Sequence, residues 1–256
     1  MRDPWTELRK FTAARIALGR AGGSLPTTPL LDFRLAHARA RDAVLAPFDP
    51  ETLAGALRSL HTEVVVVKSR AADRTEYLLR PDLGRMMDGD SRKDLEAVRN
   101  PNGSDLVIIV SDGLSSHAAN RQAPLLLEKL LPMFDETWRI GPLVVVRHGR
   151  VTIQDDIGGC LDSRLSLMLL GERPGLGSPD SLGAYFTYRP RPGLTDADRN
   201  CVSNIRPEGL PPEAAARRLH LLLSASRHRA ISGIALKDEQ GSAPGPLPME
   251  GIDHIQ

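Results

Sequence analysis

LSLMLLGERPGLG, residues 165–177, joins a largely apolar run to a loop rich in glycine. Leu165 to Leu170 lacks the apolar–polar alternation of a half-solvated strand and carries no charge, so it reads as a strand buried on both faces. The run stops at Gly171, and Gly171, Gly175 and Gly177 surround Glu172, Arg173 and Pro174. Glycines let backbone approach a bulky partner, and proline stiffens the turn. In an open α/β sheet the loop leaving the carboxyl end of a strand is where ligands sit. A loop of this kind also arises from topology alone.

Outward from this stretch the same unit recurs. Leu106 to Val110 reads as a buried strand, followed by the loop Ser111–Ser115 and a helix through Leu131, with Ser115 or Ser116 as N-cap. Leu143 to Val146 is the next strand, leading into Arg147-His148-Gly149-Arg150-Val151 and a short helix from Asp155 to Leu161. Strand–helix repetition means parallel, right-handed βαβ units. The fold class is therefore α/β: an open, mostly parallel sheet with helices on both faces, of the Rossmann or flavodoxin kind, plus an N-terminal helical segment. The loops after Ser111, Arg147 and Gly171 are expected on one edge of that sheet.

Before this region, helical spacing runs from Pro4 to Arg20 (Trp5, Leu8, Phe11, Ile16, Leu18) and from Pro29 to Leu45. The polar face of the second helix carries Asp32, Arg34, His37, Arg39, Arg41 and Asp42, which a solvated face explains as well as a site does. Glu51–Leu60 is a short helix, Glu63–Lys68 a strand, and Asp88–Arg99 a polar helix. Tyr77–Arg80 reads as a short strand broken by Pro81, with Arg80, Asp82 and Arg85 either binding an anion or pairing with one another. Beyond the glycine loop, Ser181–Leu182 is read as a helix start, Ala184–Tyr188 as strand-like and Pro211–His228 as an amphipathic helix. The Gly/Pro-rich tail after Asp238 is expected to be disordered. Three parts follow: a helical segment at 1–60, an α/β domain at 61–238 and a tail at 239–256.

Composition narrows the function. A formal net charge of +1 offers no surplus for nucleic acid or an anionic membrane, and aromatics at 4% argue against base stacking. Two cysteines, Cys160 and Cys201, are too few for a disulfide framework and fit a reducing compartment. No signal-peptide or membrane-spanning run is read, so a cytoplasmic location is expected.

No motif supplies self-contained chemistry. GERPGLG misses the G-x-G-x-x-G spacing of a nicotinamide-linked oxidoreductase, and no lysine follows a glycine loop as a P-loop requires. Ser111-Asp112-Gly113 is not a nucleophile elbow, and the histidines lack metal-ligand spacing. Asp155 and Asp156 read as acids opening a helix, favoured by its dipole. Cys201 reads either as a small buried hydrophobe or as a pocket-lining residue. An enzyme without its own constellation leaves the chemistry to a cofactor or to a second chain.

Six colinear stretches resemble the small (light) subunit of ethanolamine ammonia-lyase. These are TELRKFTAARIALGRAG (6–22), YLLRPDLGR (77–85), VIIVSDGLS (107–115), VVRHGRVTIQDDIG (145–158), LLGERPGLGSPDSL (169–182) and ADRNCVSNIRPEG (197–209). The likeness runs from about Trp5 to about Lys237. It implies a carbon–nitrogen lyase formed with a large subunit, whose (β/α) barrel holds ethanolamine and most catalytic residues. None is then expected on this chain. It also implies adenosylcobalamin between barrel and α/β edge, whose cobalt–carbon homolysis yields the radical that takes hydrogen from ethanolamine on the way to acetaldehyde and ammonia. Corrin-contacting positions carry over to Val151, Glu172 and Cys201. Val151 suits an apolar corrin face, Glu172 its peripheral amide N–H groups, and Cys201 a close contact needing no strong partner.

Residues 1–60 are expected to dock the large subunit. Because D-x-H-x-x-G is missing, the benzimidazole base is expected to remain on cobalt. Only Met1–Pro4 precede Trp5, whereas many family members carry a long extension there, so free cytoplasm is expected rather than a bacterial microcompartment. The competing reading is a non-enzymatic small-molecule-binding or assembly protein of the same fold. The residue types at Val151, Glu172 and Cys201 argue against it, and corrinoid binding separates the two.

Overall fold

A computed structural model describes residues 4–237 apart from 13 and 62. In chain order the helices are α1 (Thr27–Leu45), α2 (Pro50–Leu57), α3 (Arg74–Leu79), α4 (Gly89–Ala97), α5 (Ser116–Leu130), α6 (Ile153–Cys160) and α7 (Pro212–Arg229). The strands are β1 (Val64–Lys68), β2 (Ser104–Ser111), β3 (Ile140–Arg147), β4 (Ser163–Gly171), β5 (Leu182–Tyr188) and β6 (Arg199–Ile205). They form one sheet in the order β1-β3-β2-β4-β5-β6.

β1, β3, β2 and β4 are mutually parallel, as the strand–helix repetition requires. Their side chains divide between two cores. Leu106, Ile108, Val110, Leu143, Val145, Leu165, Leu167 and Leu169 face α2, α5 and α7. Val107, Ile109, Val144, Val146, Met168 and Leu170 face α4 and α6. Apolar residues on both faces are why these strands show no alternation in sequence. Phe48, Leu53 and Leu57, around α2, pack into the first of the two cores.

Capping follows the local sequence. Ser115 caps α5, its Oγ accepting from the Ala118 N–H at 3.3 Å. Asp88 caps α4 through the Ser91 N–H at 2.8 Å.

The structure corrects four expectations. Tyr77–Arg80 is not a strand: Asp73 accepts the Glu76 N–H at 2.8 Å, an N-cap that starts α3. The chain from Ser181 is not a helix but the return of a hairpin, with β5 antiparallel to β4 from Gly171↔Leu182 to Leu165↔Tyr188. β6, unread in the sequence, adds a further antiparallel strand whose edge position leaves Cys201, Ser203 and Asn204 exposed. Pro4–Lys10 is a 3-10 helix and the helix does not continue, with Ala17 and Gly19 at positive φ (51° and 77°). Arg80 and Asp82 are a mutual pair, with bonds of 3.0 and 2.7 Å. The tail after Asp238, expected to be disordered, lies outside the described residues.

At the amino edge of β2, Asp105 is buried among arginines. Its Oδ2 accepts from the Arg139 N–H at 3.0 Å, and Arg164 and Arg227 lie 3.3 and 3.8 Å from Oδ1. Burial alone would raise this carboxyl, but the Arg139 bonds and the Arg227 charge outweigh it and hold the group below its ordinary range. A depressed carboxyl contributes stability above the unfolded-state value, and that contribution disappears as pH falls through the folded value. The gap in Tm between wild type and Asp105→Asn is therefore predicted to stay constant from pH 8 to about 5 and to shrink below about pH 4, as read by thermal denaturation across pH.

Candidate functional site

Parallel β2, β3 and β4 all end at one edge. The chain leaves β2 for α5 on one face and β3 for α6 on the other, so the crevice between their carboxyl ends is the switch point of the sheet. That crevice, about 340 Å³ and bordered by Arg74, Asp112, Arg147 and His148 among others, is braced by the protein's own hydrogen bonds. Asp112 Oδ2 accepts from Arg74 Nη1 at 2.8 Å and Asp112 Oδ1 from the His148 N–H at 2.9 Å. A second cleft lies beside it, across the ends of β2 and β4.

This cleft, about 440 Å³, is lined by Tyr77, Leu114, Arg150, Val151, Glu172 and Tyr185, among others. Val151 stands in the turn between β3 and α6, and Glu172 follows the last residue of β4. Glu172 Oε2 accepts from Ser181 Oγ at 2.5 Å and from the Asn204 N–H at 3.3 Å, which fixes the carboxylate while leaving it partly exposed. Gly183 makes this placement available: a Cβ there would lie 2.8 Å from Glu172 Oε1 and 2.9 Å from the Tyr185 ring.

Cys201 is not a lining residue, but Tyr185 joins it to the cleft. The two residues are paired across β5 and β6. Although Cys201 is exposed as a residue, the protein atoms around its sulfur push the thiol up by desolvation, against the lowering effect of the Tyr185 hydroxyl and with the help of the Glu172 charge. Burial likewise pushes the Tyr185 phenol well above its ordinary value. Both groups are neutral near pH 7, a polarizable surface and not a nucleophile. Val151 and Glu172 thus share one cleft, and Cys201 lies outside its lining, next to Tyr185.

Gly171 and Arg173 of the glycine-rich loop also line the cleft, whereas sequence reasoning missed Tyr77, Arg150 and Tyr185 as lining residues. Arg150 lays its guanidinium 4.1 Å from the centre of the Tyr77 ring and donates to the Tyr77 carbonyl at 2.8 Å, while its buried Nε has no hydrogen-bond partner. Tyr77 was hidden by its assignment to a strand. Tyr185 would have been found from its register opposite Cys201, had β6 been read.

The glycine-rich loop is divided. Gly171, Glu172 and Arg173 line the cleft, whereas Leu176, Gly177, Pro179 and Asp180 border a larger cavity of about 890 Å³ against α1 and α5. That cavity is charge-balanced: Arg121 and Arg206 each lie 3.6 Å from Asp180. It contains none of the three singled-out residues, and its mixture of guanidinium and carboxylate groups specifies no ligand.

Asp155 and Asp156 do open α6, and each also makes a tertiary pair. Arg199 grips Asp155 with two bonds of 2.7 Å, and Asp156 accepts from the Met87 N–H at 2.9 Å and from Arg92. The Asp155–Arg199 fork ties α6, just after Val151, to β6, just before Cys201. It holds the two sides of the site together.

The model of one protein family, "Ethanolamine ammonia-lyase light chain (EutC)", matches residues 2–237. The chain is 51% identical over 240 residues to an ethanolamine ammonia-lyase small subunit of Pseudomonas fluorescens (strain Pf0-1), covering 93% of this chain and 88% of the relative. It is 48% identical over 254 residues to a protein of the same name from Azotobacter vinelandii, covering 95% and 94% of the two chains. A third such relative, from Rhodopseudomonas palustris (strain BisA53), is 50% identical over 234 residues, covering 91% and 89%.

Both cysteines are free, Cys160 buried and Cys201 exposed. Native protein treated with a thiol reagent is predicted to be labelled at Cys201 before Cys160. The Cys201 rate should continue to climb well above pH 9, as peptide mass spectrometry of a pH series would show.

Proposed function

The chain belongs to the ethanolamine ammonia-lyase light-chain family, and from that premise we propose that its carboxyl-edge cleft holds one edge of adenosylcobalamin at an interface with the large subunit. The observation that carries this reading is the convergence of Val151, Glu172 and the Tyr185–Cys201 pair on one edge of the sheet. The donor set suits a corrin rim. Glu172 offers a fixed carboxylate to amide N–H groups, and Leu114 and Val151 give apolar contact. A cleft of 440 Å³ takes the rim of such a molecule and leaves its remaining surface to the partner chain.

Adenosylcobalamin, when bound, supplies the one-electron chemistry by which ethanolamine becomes acetaldehyde and ammonia. This chain's residues bind and orient. Glu172 is held by Ser181 and the Asn204 backbone, so it meets a ligand without reorganising. The neutral Cys201 and Tyr185 fill space without competing as nucleophiles.

The partner surface in this proposal includes α1, of which only Ala36 and Ala43 are buried while Leu31, Leu35 and Leu45 are more than half exposed. A helix so little covered gains its stability from a further packing partner. Among the described residues no helix is long and apolar enough to cross a membrane. Two free cysteines support a working place in the reducing cytoplasm.

Co-expression with the large subunit, followed by addition of adenosylcobalamin and ethanolamine, should give acetaldehyde release that neither chain gives alone. Glu172→Gln and Cys201→Trp are predicted to weaken cobalamin binding by the pair roughly tenfold or more while leaving the fold intact by circular dichroism. Wild-type affinity in both variants would remove the assigned site.

A further inference from the structure

The hydrogen-bond network around Asp112 does more than line the switch-point crevice. Asp112 is 1% exposed, and its carboxylate gathers Arg74 Nη1 at 2.8 Å, the His148 N–H at 2.9 Å and Ser111 Oγ at 3.0 Å, with His148 Nδ1 3.3 Å away. His148 sits at φ 62°, a left-handed conformation that a non-glycine residue adopts only when its surroundings impose it. The surroundings do so residue by residue. Gly149 donates its N–H to Ser111 Oγ at 2.9 Å, Tyr77 donates its hydroxyl to the Gly149 carbonyl at 3.2 Å, and Arg150 donates its N–H to the Gly84 carbonyl at 2.8 Å. The segment held in this way leads directly to Arg150 and Val151, two residues of the cleft wall.

Arg74 anchors the carboxylate from the other side. Its Nη1 also donates to the Gly113 carbonyl at 2.7 Å, and its Nε and Nη2 donate to the Val44 carbonyl at 3.0 and 2.7 Å. One guanidinium therefore joins the end of α1, the loop after β2 and the buried Asp112. A planar fork can make such simultaneous bonds, and a lysine in its place cannot.

We propose that Asp112, clamped by Arg74, is a positioning residue for the cleft: it imposes the left-handed turn at His148 and so sets where Arg150 and Val151 meet the cofactor. The inference rests on the cobalamin reading above for its ligand, but not for the turn it describes. Asp112 does not line the cleft; it acts through the loop.

The test uses the complex of this chain with the large subunit. Asp112→Asn removes the charge that holds Arg74, Arg74→Lys keeps the charge and loses the fork, and Asp105→Asn serves as a control buried carboxylate at the opposite edge of the sheet. Amide hydrogen exchange without cobalamin should accelerate about tenfold at residues 148–151 in Asp112→Asn and Arg74→Lys, and not in Asp105→Asn. Adenosylcobalamin affinity, followed by the corrin absorbance, should fall about tenfold in the same two variants only. Unchanged exchange at 148–151, or equal affinity losses in all three variants, overturns the positioning role. If the wild-type complex takes up no cobalamin, the cofactor reading fails, and the exchange comparison still decides whether Asp112 sets the turn. Should Asp112→Asn not fold, Arg74→Lys decides both readouts.

Discussion

β4 is paired on both sides and buried on both faces, and that double constraint organises the molecule. On one side it runs parallel to β2, which sends the β2, β3 and β4 loops to a single edge. On the other side it pairs antiparallel with β5, so the chain must reverse between Gly171 and Leu182. Gly171 ends the strand where nothing larger fits, since a Cβ there would overlap the carbonyl oxygens of Asp112 and Ser115. Glu172 is therefore delivered at the mouth of the sheet, and β5 returns beneath it carrying Gly183 and Tyr185. The site is a by-product of strand pairing before it is a matter of side-chain chemistry.

Polar groups then make this edge rigid. Asp155 and Arg199 are both nearly fully buried, and breaking one half of such a pair leaves a buried charge unmatched, at a cost of about 3–5 kcal/mol. The pair links α6 to β6 much as Asp112 and Arg74 link the β2 and β3 loops to α1. Two walls of the cleft are held by buried ion pairs, and apolar packing lies underneath. Such a frame keeps weak individual contacts in fixed positions, which is how a shallow cleft contributes specificity beyond its area.

The parallel core was legible in the sequence because its strands, buried on both faces, leave apolar runs that little else produces. Leu106–Val110, Leu143–Val146 and Leu165–Leu170 all fall within observed strands. Edge strands leave weaker traces. β6 exposes Cys201, Ser203 and Asn204, so its composition resembles a loop, and only its pairing with β5 reveals it. Family resemblance picks out Val151, Glu172 and Cys201 together, whereas physical reading alone marks the loops after β2, β3 and β4 and leaves Cys201 as one of two alternatives. Tyr77 and Arg150 were invisible because their roles depend on contacts across more than seventy positions, including the Arg150–Tyr77 carbonyl bond at a separation of 73. The burial of Asp112 beside Arg74 is a property of the fold and not of its neighbours in sequence.

A structure of this chain with its large subunit and adenosylcobalamin, determined by electron cryomicroscopy, tests the central claim most directly. The account predicts the corrin rim in van der Waals contact with Val151 and Cys201, with a peripheral amide bonded to the Glu172 carboxylate. A corrin seated instead in the cavity between α1, α5 and the tip of the glycine-rich loop, or one that touches only the large subunit, would contradict it.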